Sequence, residues 1–143
     1  MTEREQLIEL SNKLFIYTDY KEWQKLKEEV FVEDKIFIDM TSTGAGTAAE
    51  MTADMICSMW NVGFEGLDAV HHQSGNFLVT VTNDKAEVYC YAIATHYKAS
   101  ATEGKTREFV GSYNIGCTKT AKGWRINSFK YNLKYVNGNV EFK

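Results

Sequence analysis

The stretch Ala86-Glu87-Val88-Tyr89-Cys90-Tyr91-Ala92-Ile93-Ala94-Thr95-His96-Tyr97-Lys98 alternates without a break. Val88, Cys90, Ala92, Ala94 and His96 fall on one side and Tyr89, Tyr91, Ile93, Thr95 and Tyr97 on the other, the period of two that an extended strand imposes. One face is small and carries a histidine; the other is aromatic. Small residues leave room for a ligand and an aromatic face wants cover. The alternation therefore predicts a pocket inside a sheet and a subunit contact, in a homodimer or homotrimer, outside it.

The neighbouring segments extend this strand into a sheet. Phe77 to Thr82, Arg107 to Thr120 and Trp124 to Tyr135 are strand-like, and Asn83-Asp84-Lys85, Glu103-Gly104 and Ala121-Lys122-Gly123 are turn chemistry between them. Upstream the period changes to that of a helix. Thr2 with Glu5 forms a capping box, and Leu7, Leu10, Leu14 and Phe15 carry a first amphipathic helix to about Tyr17. Asp19 with Glu22 repeats the cap signal ahead of Trp23, Leu26, Val30 and Phe31, which predicts a second helix. Lys35 to Met40 is a strand and Ser42 to Gly46 a loop; Gly44-Ala45-Gly46 lacks the lysine of a P-loop and suits a hinge or lid. Thr47 with Glu50 predicts a third helix bearing Met51, Met55, Ile56, Met59 and Trp60, the methionines serving as a pocket wall or as soft core filler. Helices followed by a long antiparallel meander give an α+β domain with helices on one face of a curved sheet.

The chain is 143 residues long, which fits one domain over residues 1–143, and its 44% hydrophobic content with 13% aromatics fills one core with surplus. A net charge of −3 with no basic run gives nucleic acid no electrostatic footprint. Cys57, Cys90 and Cys117 include no CxxC pair, so neither a disulfide framework nor a zinc site is implied, and small buried hydrophobes in a reducing compartment are expected. No signal segment or membrane span is visible, so the expectation is a cytoplasmic protein without a membrane partner.

The residues that can move a proton near neutral pH are few: His71, His72 and His96. A carboxylate can fix the tautomer of an imidazole and make it a competent general base, which brings in Asp19, unless that residue only caps the second helix. His71 and His72 diverge if the chain there is extended, so they do not share a metal. Asp39, at the end of a strand, is expected to face solvent or cap the following loop.

Several segments together resemble the SnoaL-like group of the nuclear-transport-factor-2-like (NTF2-like, cystatin-like) fold, and within it the scytalone dehydratases. They are Asp19-Tyr20-Lys21-Glu22-Trp23, Phe37-Ile38-Asp39, Leu67 to His71, the interval from His71 to His96, Ser112-Tyr113-Asn114 and Gly123-Trp124. The resemblance implies a cone of three helices on a curved, mainly antiparallel sheet, open at one end. It also implies a lyase or isomerase without metal or organic cofactor, acting on a small, largely apolar organic molecule. Asp19 would orient His71, His71 would be the base, His96 would help the leaving group depart, and Ser112 and Asn114 would hold the substrate on the His96 side. Tyr17, Tyr20, Met40, Met55 and Met59 are the further expected substrate contacts. The sequence departs from the pattern where two tyrosines would polarise a carbonyl, with Thr18 and Met40 in their places. A catalytically inert module that binds a small molecule or dimerises is the alternative.

Overall fold

The computed structural model describes all 143 residues, Met1–Lys143. Helix α1 (Glu3–Asp19) opens with the expected capping box, the Thr2 side chain accepting from the Glu5 backbone N–H and Glu5 reaching back to Thr2. It runs through Asp19, so that residue ends the first helix and does not cap the second. Helix α2 (Trp23–Lys25) is a single turn continued by a π-helical turn, Leu26–Val30, and Glu22 at its start makes no side-chain cap. After β1 (Lys35–Asp39) and a 3₁₀ turn (Thr41–Thr43), residues 49–52 pair antiparallel with β1 as β2 (Ala49–Thr52). The expected capping box at Thr47 and Glu50 is therefore not used. The backbone groups on that side of β1 take strand partners instead, and α3 (Ala53–Gly63) starts later with Thr52 as its cap. Asp39 accepts from the Thr41 backbone N–H and hydroxyl, the loop cap expected of it.

The meander follows as β3 (Ala69–Thr82), β4 (Lys85–Tyr97), β5 (Thr106–Thr120) and β6 (Gly123–Gly138). The sheet order is β2-β1-β6-β5-β4-β3, antiparallel throughout except for the β1–β6 pair. The chain is thus three helices on a curved six-stranded sheet. Between them lies one cluster of 21 buried residues, drawn from Leu7, Leu10, Leu14 and Phe15 of α1, Leu26 and Val30 of the π turn with Phe31 after it, Ile56 and Cys57 of α3, and the inner face of the sheet. A wholly enclosed side chain such as Leu26 or Ile115 contributes about 1.5–3 kcal/mol by leaving water.

Two registers decide which side chains face this interior. Residues opposite each other in an antiparallel pair share a face, and β5 sets Arg107 against His96, Phe109 against Ala94, Gly111 against Ala92 and Tyr113 against Cys90. The β3–β4 ladder begins at Thr82–Lys85, then shifts between Leu78–Tyr89 and Gly75–Tyr91. Three steps along β3 match two along β4, which is a β-bulge, and Asn76 within it has φ +56°. Beyond the bulge His72 lies opposite Ala94 and His71 opposite Thr95.

Candidate active site

A cavity of about 410 Å³ opens between α1, α3 and the inner face of the sheet. Its wall is largely hydrophobic, with Phe15, Trp60, Phe64, Phe109 and Phe129 prominent, and Met40, Thr43 and Ala45 close it from the loop after β1. His72 and His96 both line it.

Asp19 projects from the last turn of α1, where an aspartate gains nothing from the helix dipole. Its two oxygens both serve His72. One accepts the His72 backbone N–H at 2.8 Å, and the other lies 2.5 Å from His72 Nδ1. Both side chains are nearly enclosed, at 7% and 10% exposure, so the pair is shielded from competing water. Phe15 stacks on the imidazole with ring centroids 5.3 Å apart and 24° between planes. An ionised carboxylate only accepts, so Nδ1 donates, and in the neutral ring the lone pair is then on Nε2. The Asp19 partner is accordingly His72, and the expectation for His71 is corrected: the bulge turns His71 to the exposed outer face.

His96 has the opposite kind of partner. Arg107 Nε donates to His96 Nδ1 at 3.1 Å, and burial foremost, with the Arg107 and His72 charges adding and Asp19 opposing, pushes the imidazole pKa down to about 4. Phe109 and Phe64 pack on the ring at centroid distances of 5.2 and 5.9 Å. Neutral His96 is therefore the form present at pH 7.

Of the remaining expected contacts, Met40 lines the cavity. Tyr17 gives its hydroxyl to Glu29 and Tyr20 is 76% exposed. Met55 and Met59 lie on the exposed side of α3, whose Ile56 and Cys57 turn inward while Trp60 lines the cavity. Ser112 and Asn114 lie opposite Tyr91 and Tyr89 on the outer face, where both accept from the Asn132 amide. The strand alternation was read correctly for β4; the placing of Ser112 and Asn114 beside His96 fails because the β4–β5 register puts their neighbour Tyr113 on the inner face. Tyr91, Ile93 and Tyr97, the aromatic side of β4, are outward and 38–43% exposed.

Sequence reasoning missed His72, Arg107 and Tyr113. Glycine followed by asparagine inside a strand is the signal that could have exposed the bulge and hence His72. Tyr113 lines the cavity, its hydroxyl has no partner within the chain, and burial keeps the phenol well above its usual pKa, so it stays a donor. The Cys90 and Cys117 thiols are pushed up to about 12 by burial, which makes them packing groups and not nucleophiles.

The family model of the SnoaL-like domain matches residues 1–130. The chain belongs to the SnoaL-like family. No curated protein matches this SnoaL-like chain by sequence. Among solved structures it is similar to the Kfla4162 protein of Kribbella flavida, with 26% identity, a TM-score of 0.92 and coverage of 99% of this chain and 96% of that one. It is also similar to a candidate scytalone dehydratase of Novosphingobium aromaticivorans, at 15% identity and TM-score 0.79, covering 94% of this chain and 86% of the other. A third is the hexachlorocyclohexane dehydrochlorinase LinA-type3 of Novosphingobium barchaimii, at 12% identity and TM-score 0.74, covering 96% and 90%. At these last two identities the likeness is one of fold. No helix is long and apolar enough to cross a membrane.

Proposed function

We propose that this SnoaL-like protein is a lyase or isomerase, working without metal or organic cofactor, that removes a proton from carbon in a small, largely apolar organic molecule. The observation that carries the reading is the Asp19–His72 pair at 2.5 Å, with His72 on the cavity wall. Asp19 holds Nδ1 as the donor, so Nε2 is the base presented to a ligand, and the developing imidazolium is stabilised where it forms. A hydrophobic cavity of this size suits a compact organic substrate and strengthens the charge interactions within it. Solved structures similar to this chain carry the names of a dehydratase and a dehydrochlorinase, both names for eliminations, and removal of a proton from carbon is one step of an elimination.

The test is product formation and C–H to C–D exchange in heavy water, measured on a panel of small hydroxy, halo and keto compounds. Asp19→Asn and His72→Ala are expected to abolish both. Parent-like turnover in both variants overturns the reading. The second reading, a binding module, is favoured by Thr18 and Thr43: their hydroxyls are given to the Leu14 and Met40 carbonyls and leave these positions without a free donor. It would gain if a compound stabilised the protein, by about 2.7 kcal/mol at a hundredfold excess over Kd, and was never consumed.

A further inference from the structure

The cavity wall is unevenly built. Most of it comes from α1, from α3 with its cap Phe64, and from the strands, whose backbones are tied by regular hydrogen bonds. Met40, Thr43 and Ala45 are the exception, because they belong to the connection between β1 and β2.

That connection begins firmly. Asp39 accepts twice from Thr41, and Ser42 ties the 3₁₀ turn to β6: its hydroxyl donates to the Tyr131 carbonyl at 2.6 Å and accepts the Leu133 backbone N–H at 2.9 Å. Thr43 and Gly44 close the turn by bonding back to the Met40 and Thr41 carbonyls. Beyond Gly44 the ties stop. The Ala45 N–H reaches only the Thr43 hydroxyl, at 3.4 Å, and Gly46, Thr47 and Ala48 make no hydrogen bond. Pairing resumes at Ala49, opposite Ile38. The two ends are therefore held, while nothing comparable ties the exposed tip Gly44-Ala45-Gly46-Thr47-Ala48, in which no side chain is larger than threonine. Gly44 and Gly46 sit in the left-handed region, at φ +81° and +65°, and a Cβ on either would meet nothing within 4 Å. Few packing contacts and unpaired backbone groups make a segment cheap to open, and glycine gives it the freedom to do so.

We propose that Gly44–Ala48 is a flap over the cavity, fixed at Ser42 and Ala49, whose opening admits small apolar molecules. The inference rests on the cavity being the ligand site and is independent of which histidine is the base. In the closed position Thr43 and Ala45 complete the wall and shield the interior from water. A flap has a kinetic signature. When opening is slow, the observed rate of binding stops rising with ligand concentration and settles at the opening rate, whereas a fixed mouth gives a rate that climbs linearly.

The probe is nitrobenzene, which is small, apolar and a quencher of tryptophan, and Trp60 is on the wall. Stopped-flow quenching of the full chain follows its entry, and Trp60→Phe identifies the signal by removing it. The parent is expected to show a rate that levels off. Alanine is disfavoured in the left-handed region yet has room at both turns. Gly44→Ala with Gly46→Ala therefore strains the closed tip without a clash and should raise the ceiling about tenfold. Ser42→Ala, which unties the fixed end, is a second variant that should raise it too. A rate that climbs linearly in the parent, a ceiling that neither variant moves, or no quenching in any of these proteins overturns the proposal. Asp19→Asn is expected to keep the entry kinetics and lose C–H exchange. Exchange that survives Asp19→Asn overturns the base assignment alone.

Discussion

Two neighbouring positions on the cavity wall carry the same side chain in opposite settings. On β3 an acid from α1 holds His72 by Nδ1, which leaves Nε2 of the neutral ring as an acceptor. On β4 a guanidinium from β5 holds His96 by the same atom, leaving Nε2 as a donor. The imidazole does not choose its role; the charge behind it does. Neither role is visible from the histidine itself, and both partners come from another element, Asp19 from the end of a helix and Arg107 from the next strand.

The sharpest break of this contrast is at Asp19. Asparagine there keeps the shape but presents an amide that favours the wrong tautomer, and kcat is expected to fall about 10⁴-fold. Steady-state rates on any turned-over compound check this, and a fall below about tenfold would remove the acid from the base's role. Next comes the pair His72→Ala and His71→Ala. The first should lose about 10²–10⁴ in rate and the second nothing, since His71 lies on the exposed face.

A third test moves the boundary itself. Deleting Asn76 removes the extra residue of the bulge, so two steps along β3 then match two along β4 and the pairs on either side keep their partners, with His72 still opposite Ala94. A crystal structure of the variant should show an unbroken ladder with His72 still on Asp19; His71 at Asp19 instead would mean that the bulge does more than absorb one residue.

The fourth test sharpens the His96 end. Its folded pKa of about 4 lies below the unfolded value of 6.5, so the unfolded chain binds a proton first and stability is lost as pH falls. The contribution is complete above about pH 6.5 and declines by about 3 kcal/mol on reaching pH 4. Urea unfolding at pH 7 and pH 4.5 should show that drop in the parent and a smaller one in His96→Phe. The smallest effect belongs to the outer face: Asn114→Ala should leave cavity binding unchanged within calorimetric error.

Much of the frame was legible in the chain. The late strands are bounded by turn residues and fixed by alternation, and the Thr2–Glu5 box opens α1 as its spacing predicts. The third helix start was not legible, because residues 49–52 pair with β1 and tertiary pairing overrides a local cap signal. Met51 falls in β2, and Met55 and Met59 turn outward because α3 packs through the adjoining stripe of Ile56, Cys57 and Trp60, a choice of face that spacing within the helix does not make. His96 is legible from residue type and strand alternation, whereas Asp19, one of 19 acidic residues, is singled out by the resemblance. His72, Ser112 and Asn114 were misplaced because parity along one strand says nothing until its register with the next is known.

The bulge at Gly75–Leu78 also bears on how this chain should be compared with others. It works as a one-column phase shift, so that counting residues back from the β3–β4 turn leads to Gln73 while following the ladder leads to His72. An alignment anchored on that turn that opens no gap at Asn76 against a homologue with a regular strand would put Gln73 in the base's column and leave His72 one column away. A single gap at the bulge is what returns His72 to the position opposite Ala94.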